Sequence, residues 1–167
     1  MKRIMIIGSG GSGKSTLSKQ LGRVLSIPVH HLDAYFWKPG WQAVSREEIS
    51  AIQQQIFEKD TWIIDGNYSA TMDKRIEAAD TVIFLNYSTA RCLYGIVKRR
   101  IQFHSKTRPD MGQDCPEKLD LEFFMWVASY QKNKVPIVRE KLKVANKIQL
   151  LEFKNPRQTK NFLKNLS

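Results

Sequence analysis

The sequence predicts an α/β fold, a five-stranded parallel sheet with helices on both faces. Three observations carry the prediction. Five short apolar runs, rich in branched residues, alternate with segments of helical periodicity. The first run, RIMII, is short, branched and apolar, as a buried parallel strand is. The length, 167 residues, suits a single domain over residues 1–167 whose core needs no covalent staples.

The first run, residues 3–7 (RIMII), is the first strand. A Gly/Ser-rich turn follows and opens a helix on which Leu17, Leu21, Val24 and Leu25 share one face, with Pro28 closing the element. Residues 29–32 read as the second strand. Ser45-Arg46-Glu47-Glu48 is a capping box, and Val44 and Ile49 stand where a hydrophobic staple would pair, so a helix is predicted over 46–58. Residues 61–64 and 81–85 are the third and fourth strands. After Ser88 a helix presents Leu93, Ile96, Val97, Arg100 and Ile101 on one side. Residues 103–118 lack periodicity and hold two prolines and a glycine, which marks a lid-like insert over about 102–118. The next helix is predicted over about 118–132 with Leu121, Phe124, Met125 and Ala128 on its face, and Pro136 opens a shorter one. Residues 147–153 form the last strand. Asn155, Pro156 and Gln158 then start a final helix whose apolar side is Phe162, Leu163 and Leu166.

Composition narrows the function classes. No apolar run approaches the roughly 20 residues that cross a bilayer. The run after Lys2 and Arg3 stops at Gly8, too early for a signal peptide, so a cytoplasmic chain without membrane contact is expected. Cys92 and Cys115 form no CxxC pair and no metal-ligand spacing, and two reduced thiols are expected. The net charge of +11 is uneven: residues 1–130 hold 17 Lys+Arg against 14 Asp+Glu, residues 131–167 hold 10 against 2. The C-terminal excess is either a solvated exterior or a surface for weak, non-specific nucleic-acid binding.

The strongest chemical signal is Gly8-Ser9-Gly10-Gly11-Ser12-Gly13-Lys14-Ser15, a full match to G-x-x-x-x-G-K-[ST], followed by Thr16. It lies after an apolar strand and opens an amphipathic helix, the context in which the pattern has meaning. Glycines let backbone N–H groups turn inward around a phosphate, and the helix N-terminus adds partial positive charge. Lys14 is expected at the β/γ-phosphates and the Ser15 hydroxyl in the shell of a metal ion. These nine residues are the candidate nucleotide site, ATP and Mg²⁺ the implied cofactors, and a P-loop NTPase/kinase fold the implied architecture.

In parallel sheets ligands bind at the carboxyl ends of the strands. Asp33 follows the second strand and Asp65 the third. Phosphoryl transfer needs a metal held by carboxylate or its water, and a group that orients the attacking oxygen. Asp33 is assigned to the acceptor and to catalysis, Asp65 to the metal shell. Lys98, Arg99, Arg100, Lys106 and Arg108 make the insert region basic, and Arg99, Arg100 and Arg108 are the candidates for stabilising charge on the transferring group. His30, His31 and His104 have no metal-ligand pattern. Tyr35, Phe36, Trp37 and Trp41 surround the turn Lys38-Pro39-Gly40, so they are placed on a loop lining the acceptor side, where aromatic faces can stack on a flat ring.

The phosphate loop, HLDAYFWKPGW, WIIDGNY and RPDMGQDCPEKLD together resemble the small bacterial adenylate-kinase-related proteins described as DNA topology modulation (FlaR-type) proteins, over about residues 3–153. The resemblance implies a P-loop kinase fold with an ATP site and a lid. It departs from adenylate kinases after Asp65-Gly66: those continue Phe-Pro-Arg, whereas this chain continues Asn67-Tyr68-Ser69, which removes the arginine that would grip a nucleoside monophosphate and puts Asn67 on the acceptor side. The expected function is an ATP/Mg²⁺-dependent phosphotransferase with a nucleoside, nucleotide or other small hydroxyl or phosphate compound as acceptor. The alternative is an ATP-binding, DNA-associated protein, although no helix-turn-helix, zinc finger or other reading motif is present.

Overall fold

The five runs pair as strands of one parallel sheet, its three central strands almost wholly buried and its two edge strands only partly covered. The structure, a computed structural model, describes residues 1–145 and 147–166. The sheet strands are β1 (Arg3–Gly8), β2 (Val29–His31), β5 (Trp62–Asp65), β6 (Thr81–Leu85) and β7 (Gln149–Phe153), in the spatial order β2-β5-β1-β6-β7. The remaining strands, β3 (Trp37–Lys38) and β4 (Gln42–Ala43), pair antiparallel as a small hairpin.

Side chains alternate across the sheet. Met5, Ile7, Ile64, Val82 and Phe84 point to one core, and Ile4, Ile6, Ile63, Ile83 and Leu85 to the other. The first core is covered by α3 (Arg46–Phe57), α4 (Met72–Ala78) and α7 (Val135–Val144), through Ile56, Met72, Ile76, Val138 and Leu142. The second is covered by α1 (Lys14–Leu25), α5 (Thr89–Gln102) and α8 (Pro156–Lys164), through Leu17, Leu21, Cys92, Ile96 and Phe162. Between them lies α6 (Leu121–Asn133), with Tyr130 in the first core and Val127 in the second. Truncating any of the fully buried strand isoleucines to alanine costs about 2–5 kcal/mol. Among the described residues no helix is long and apolar enough to cross a membrane.

Several boundaries and faces differ from expectation. The second strand ends at His31, and Leu32–Phe36 is a short helix, α2, so Asp33 lies in a helical turn and Tyr35 and Phe36 are not on a loop. Residues 72–78 form α4, which sequence reading missed. The helix predicted from 118 starts at Leu121, because the Asp120 carboxylate accepts the Phe123 N–H at 2.8 Å and caps it. The Ser45 and Asn155 caps form as expected, Ser45 accepting from the Glu48 N–H and Asn155 from the Gln158 N–H.

The buried faces of α5 and α6 are rotated from those read in the sequence. In α5 Cys92 and Ile96 are buried and Ile101 is 74% exposed; in α6 Val127 and Tyr130 are buried and Leu121 is 75% exposed. Both helices are apolar on more than one side, and close packing on the phosphate loop decides which side turns inward.

Candidate active site

The carboxyl ends of β1, β2 and β5 open on one edge, where His31 pairs in register with Asp65, and Asp65 with Ile6. From β1 the chain enters the phosphate loop. Gly11 and Gly13 have φ of 74° and 89°, in the left-handed region that favours glycine, and Gly13 is the N-cap of α1. The loop lies hard against α5: a Cβ on Gly95 would come within 2.2 Å of the Gly11 carbonyl oxygen. A glycine in mid-helix is otherwise unfavourable, and this contact is its reason. The Ser12 hydroxyl donates to the Ser9 carbonyl at 2.8 Å, and Lys14 Nζ donates to the Gly8 and Ser9 carbonyls, both at 2.9 Å, which keeps the ammonium across the loop.

A cavity of about 980 Å³ opens in front of the loop. This is at the upper end of the range for small-molecule sites and has room for two ligands side by side. Gly10, Gly11, Gly13, Lys14, Ser15 and Thr16 line one end, whereas Gly8, Ser9 and Ser12 shape the loop from behind. Asp33 faces the same cavity. Its carboxyl is accessible through the cavity yet has protein on most sides, and this partial desolvation raises its pKa, while Lys14 and Arg108 pull it down. Lys14 shows the converse: burial lowers its pKa, and Asp33 and Asp65 oppose that.

Two of the three candidate arginines meet in the cavity. Arg99 Nε donates to Glu117 Oε1 at 2.7 Å, and Arg108 Nε lies 2.7 Å from Glu117 Oε2, so one buried carboxylate holds both guanidinium groups. Arg99 also lies over the Phe123 ring, 5.5 Å from its centroid. Arg100 is not brought there; it donates to His104 Nδ1 at 2.8 Å, outside the cavity lining. Glu117 was missed in the sequence, because the insert has no periodicity from which to infer an inward side chain.

Asp65, expected at the metal, is 4% exposed and does not line the cavity. Its carboxylate accepts the Ser18 hydroxyl at 2.7 Å, and His31 Nδ1 lies 3.0 Å from each of its oxygens. With both oxygens engaged it orders neighbouring side chains. Asn67 lines the cavity, but its amide is clamped to Gly8, accepting from the Gly8 N–H and donating to the Gly8 carbonyl. Arg75, missed by sequence reading, is fully buried beneath this loop and donates to the Gly66 carbonyl at 2.9 Å and to the Tyr68 carbonyl. Burial lowers its pKa to about 10. Its guanidinium holds backbone and is not directed at an acceptor.

The other end of the cavity has an aromatic wall. Tyr68, Phe36, Trp37 and Trp41 follow one another with ring centroids 4.7, 4.7 and 5.4 Å apart, and all four line the cavity. Tyr35 does not: its hydroxyl lies 2.9 Å from His30 Nδ1 and its ring packs on the first core. Trp41 has φ 64°, an uncommon conformation for a bulky residue. The insert holds it there, with Lys118 Nζ 4.5 Å from the Trp41 ring centroid.

The hairpin and the insert are strapped together at three further points. The Gly40 N–H donates to the Asp114 carbonyl at 3.2 Å, Cys115 Sγ donates to the Lys38 carbonyl at 3.3 Å, and a Cβ on Gly112 would lie 2.0 Å from the Trp37 carbonyl oxygen. Gly112→Ala is therefore expected to push the aromatic hairpin from the insert, with a stability loss of about 1–3 kcal/mol. Urea unfolding monitored by tryptophan fluorescence checks this; a wild-type midpoint would show that the two segments are not packed together.

The fold is that of P-loop kinases. Shikimate kinase from Acinetobacter baumannii, solved in complex with shikimate, is similar over 99% of this chain and 90% of its own, with a TM-score of 0.67 and 12% identity. Shikimate kinase from Bacteroides thetaiotaomicron is similar over 99% and 95%, with a TM-score of 0.55 and 17% identity. That of Aquifex aeolicus is similar over 98% and 93%, with a TM-score of 0.51 and 18% identity. No family model and no curated protein matches the chain. At these identities the likeness establishes the architecture alone, a five-stranded parallel sheet with helices on both faces.

Proposed function

We propose that the protein is an ATP- and Mg²⁺-dependent phosphotransferase acting on a small hydroxyl-bearing acceptor. One observation carries this reading: the phosphate loop, Asp33 and the Arg99/Arg108 pair face a single cavity whose far end is aromatic. The fold shared with kinases, one of them solved with a small molecule, supports it.

Hard oxygen donors suit Mg²⁺, and the Ser15 hydroxyl supplies one on the cavity wall. Ser15, at the start of α1, would hold the ion beside the phosphates. Bound there, Mg²⁺ neutralises charge on the phosphoryl oxygens. Lys14 and the loop N–H groups fix the triphosphate, and Arg99 and Arg108, held by Glu117, face the transferring group. Asp33 accepts the proton of the acceptor hydroxyl as its oxygen bonds to the γ-phosphorus; the bond to the bridging oxygen breaks and ADP leaves.

On the acceptor side the aromatic wall favours a ring-bearing compound. A nucleoside monophosphate is disfavoured, because Arg75 lies beneath the Gly66–Tyr68 backbone and not at the cavity. The resemblance to adenylate-kinase-related proteins fits the kinase reading without fixing the acceptor. A phosphotransfer screen of ATP against nucleosides, nucleoside monophosphates and small hydroxyl compounds is expected to find an acceptor that wild type uses and Lys14→Ala does not. Failure with every acceptor, together with salt-sensitive DNA binding, would replace this reading by a DNA-associated one.

A further inference from the structure

The phosphotransfer reading leaves one buried charge without a task. Asp110, near the middle of the insert, is 7% exposed and lines the cavity beside Ser15. It accepts from Arg108 Nη1 at 2.8 Å, and Ser15, Lys19 and His31 are close enough to act on its charge. A carboxylate is an odd neighbour for a phosphate loop, where N–H groups, a helix N-terminus and a lysine are arranged for anions. Beside a bound triphosphate it would be repelled, and in a partly buried site that repulsion is costly.

Two arrangements remove the repulsion. Either Asp110 swings away when nucleotide binds, or a divalent cation lies between carboxylate and phosphate. The surroundings of Asp110 favour the cation. Arg108, its partner, is paired to Glu117, which is also paired to Arg99. Farther along the same insert, Asp114 and Cys115 are tied to the hairpin. Withdrawal of Asp110 would disturb these contacts, whereas a cation would leave them in place. Among the described residues no group of three acidic, histidine or cysteine side chains forms a ready cation cage. Kinase Mg²⁺ sites are typically built otherwise, from one or two carboxylates completed by substrate phosphates.

We propose that Asp110 is the insert's ligand to the divalent cation: with nucleotide bound, its carboxylate joins the Ser15 hydroxyl in the shell of that ion, directly or through one water. The proposal rests on the phosphotransferase reading and extends it, since the metal then fastens the insert over the phosphates and, through the strap, the aromatic hairpin over the acceptor.

The test measures metal affinity, not turnover. Mn²⁺ binding to the complex with a non-hydrolysable ATP analogue is followed by electron paramagnetic resonance for wild type, Asp110→Asn and Asp110→Glu. Nucleotide binding is measured by calorimetry with Mg²⁺ and with EDTA. Asn keeps an oxygen for Arg108, so the fold should hold. Expected is a Mn²⁺ affinity about 10–100-fold weaker in Asp110→Asn and less affected in Asp110→Glu, with metal-free nucleotide bound at least as tightly as by wild type. Unchanged Mn²⁺ affinity in both variants overturns the assignment. So does an equal gain in nucleotide affinity with and without metal, which identifies a latch instead. Wild type that binds no Mg-nucleotide would overturn the phosphotransferase reading itself, and the assignment with it.

Discussion

Lys14→Ala is expected to abolish Mg-ATP binding, with a loss of about 3–5 kcal/mol as when one partner of a desolvated charge pair is removed. The ammonium sits at the mouth of the loop on the Gly8 and Ser9 carbonyls, where a bound phosphate would be its natural partner. Burial lowers its pKa, which shows that the site disfavours a bare cation; a phosphate there would restore the ionised form. The sign for stability follows. A lysine whose folded pKa lies below its unfolded value makes the fold less stable below that unfolded value, so its replacement should leave the thermal midpoint at neutral pH unchanged or higher. Isothermal titration and a thermal melt of the same sample separate the two effects. An unchanged Mg-ATP affinity in Lys14→Ala would remove the nucleotide from this loop and leave no basis for the kinase reading.

What the sequence made legible was decided by signal length. The strands at 3–8, 62–65 and 81–85 are nearly uniform apolar runs, and the phosphate loop is a fixed pattern in its required setting, so these could be read locally. Helix α2 has five residues and the strands β3 and β4 two each. None spans enough of a period to be seen, and each exists because neighbours hold it: Phe36 rests on Tyr68, Trp37 on Trp41, and the hairpin backbone on the insert. The rotated faces of α5 and α6 have a similar origin. Gly95 and Gly10 permit contacts with the loop and with Phe123 that no periodicity encodes. For the site, residue type was enough to nominate Lys14, Ser15, Asp33, Arg99 and Arg108, which share the cavity, but not to separate them from Arg100, Tyr35 and Asp65, which do not line it. Glu117 and Asp110 went unnoticed because acidic residues in a basic insert look like solvated charge until the chain is folded.

Asp33→Asn is expected to keep nucleotide binding and lose about 10²–10⁴-fold in transfer, the range for removing a positioned general base. The carboxyl lies in a cavity shared by the phosphate loop and the aromatic wall, so an acceptor resting on Trp37 and Trp41 would bring its hydroxyl between Asp33 and the γ-phosphate. Asn preserves size and hydrogen bonding but cannot take the proton. The pH profile adds a second signature. Partial desolvation raises the Asp33 pKa above that of an ordinary carboxylate, although Lys14 and Arg108 moderate the rise. Since the base works ionised, transfer by wild type should fall as pH drops through that raised value, and the slow residual rate of Asp33→Asn should lack this acid limb. The two readouts discriminate between roles. If Asp33 only orients the acceptor, Asn should raise KM with kcat little changed, and the acid limb would belong to another group. If Asp33 is the base, kcat falls and the limb disappears with it. Wild-type turnover in Asp33→Asn would exclude both roles and leave the aromatic wall facing a molecule that this carboxylate does not touch.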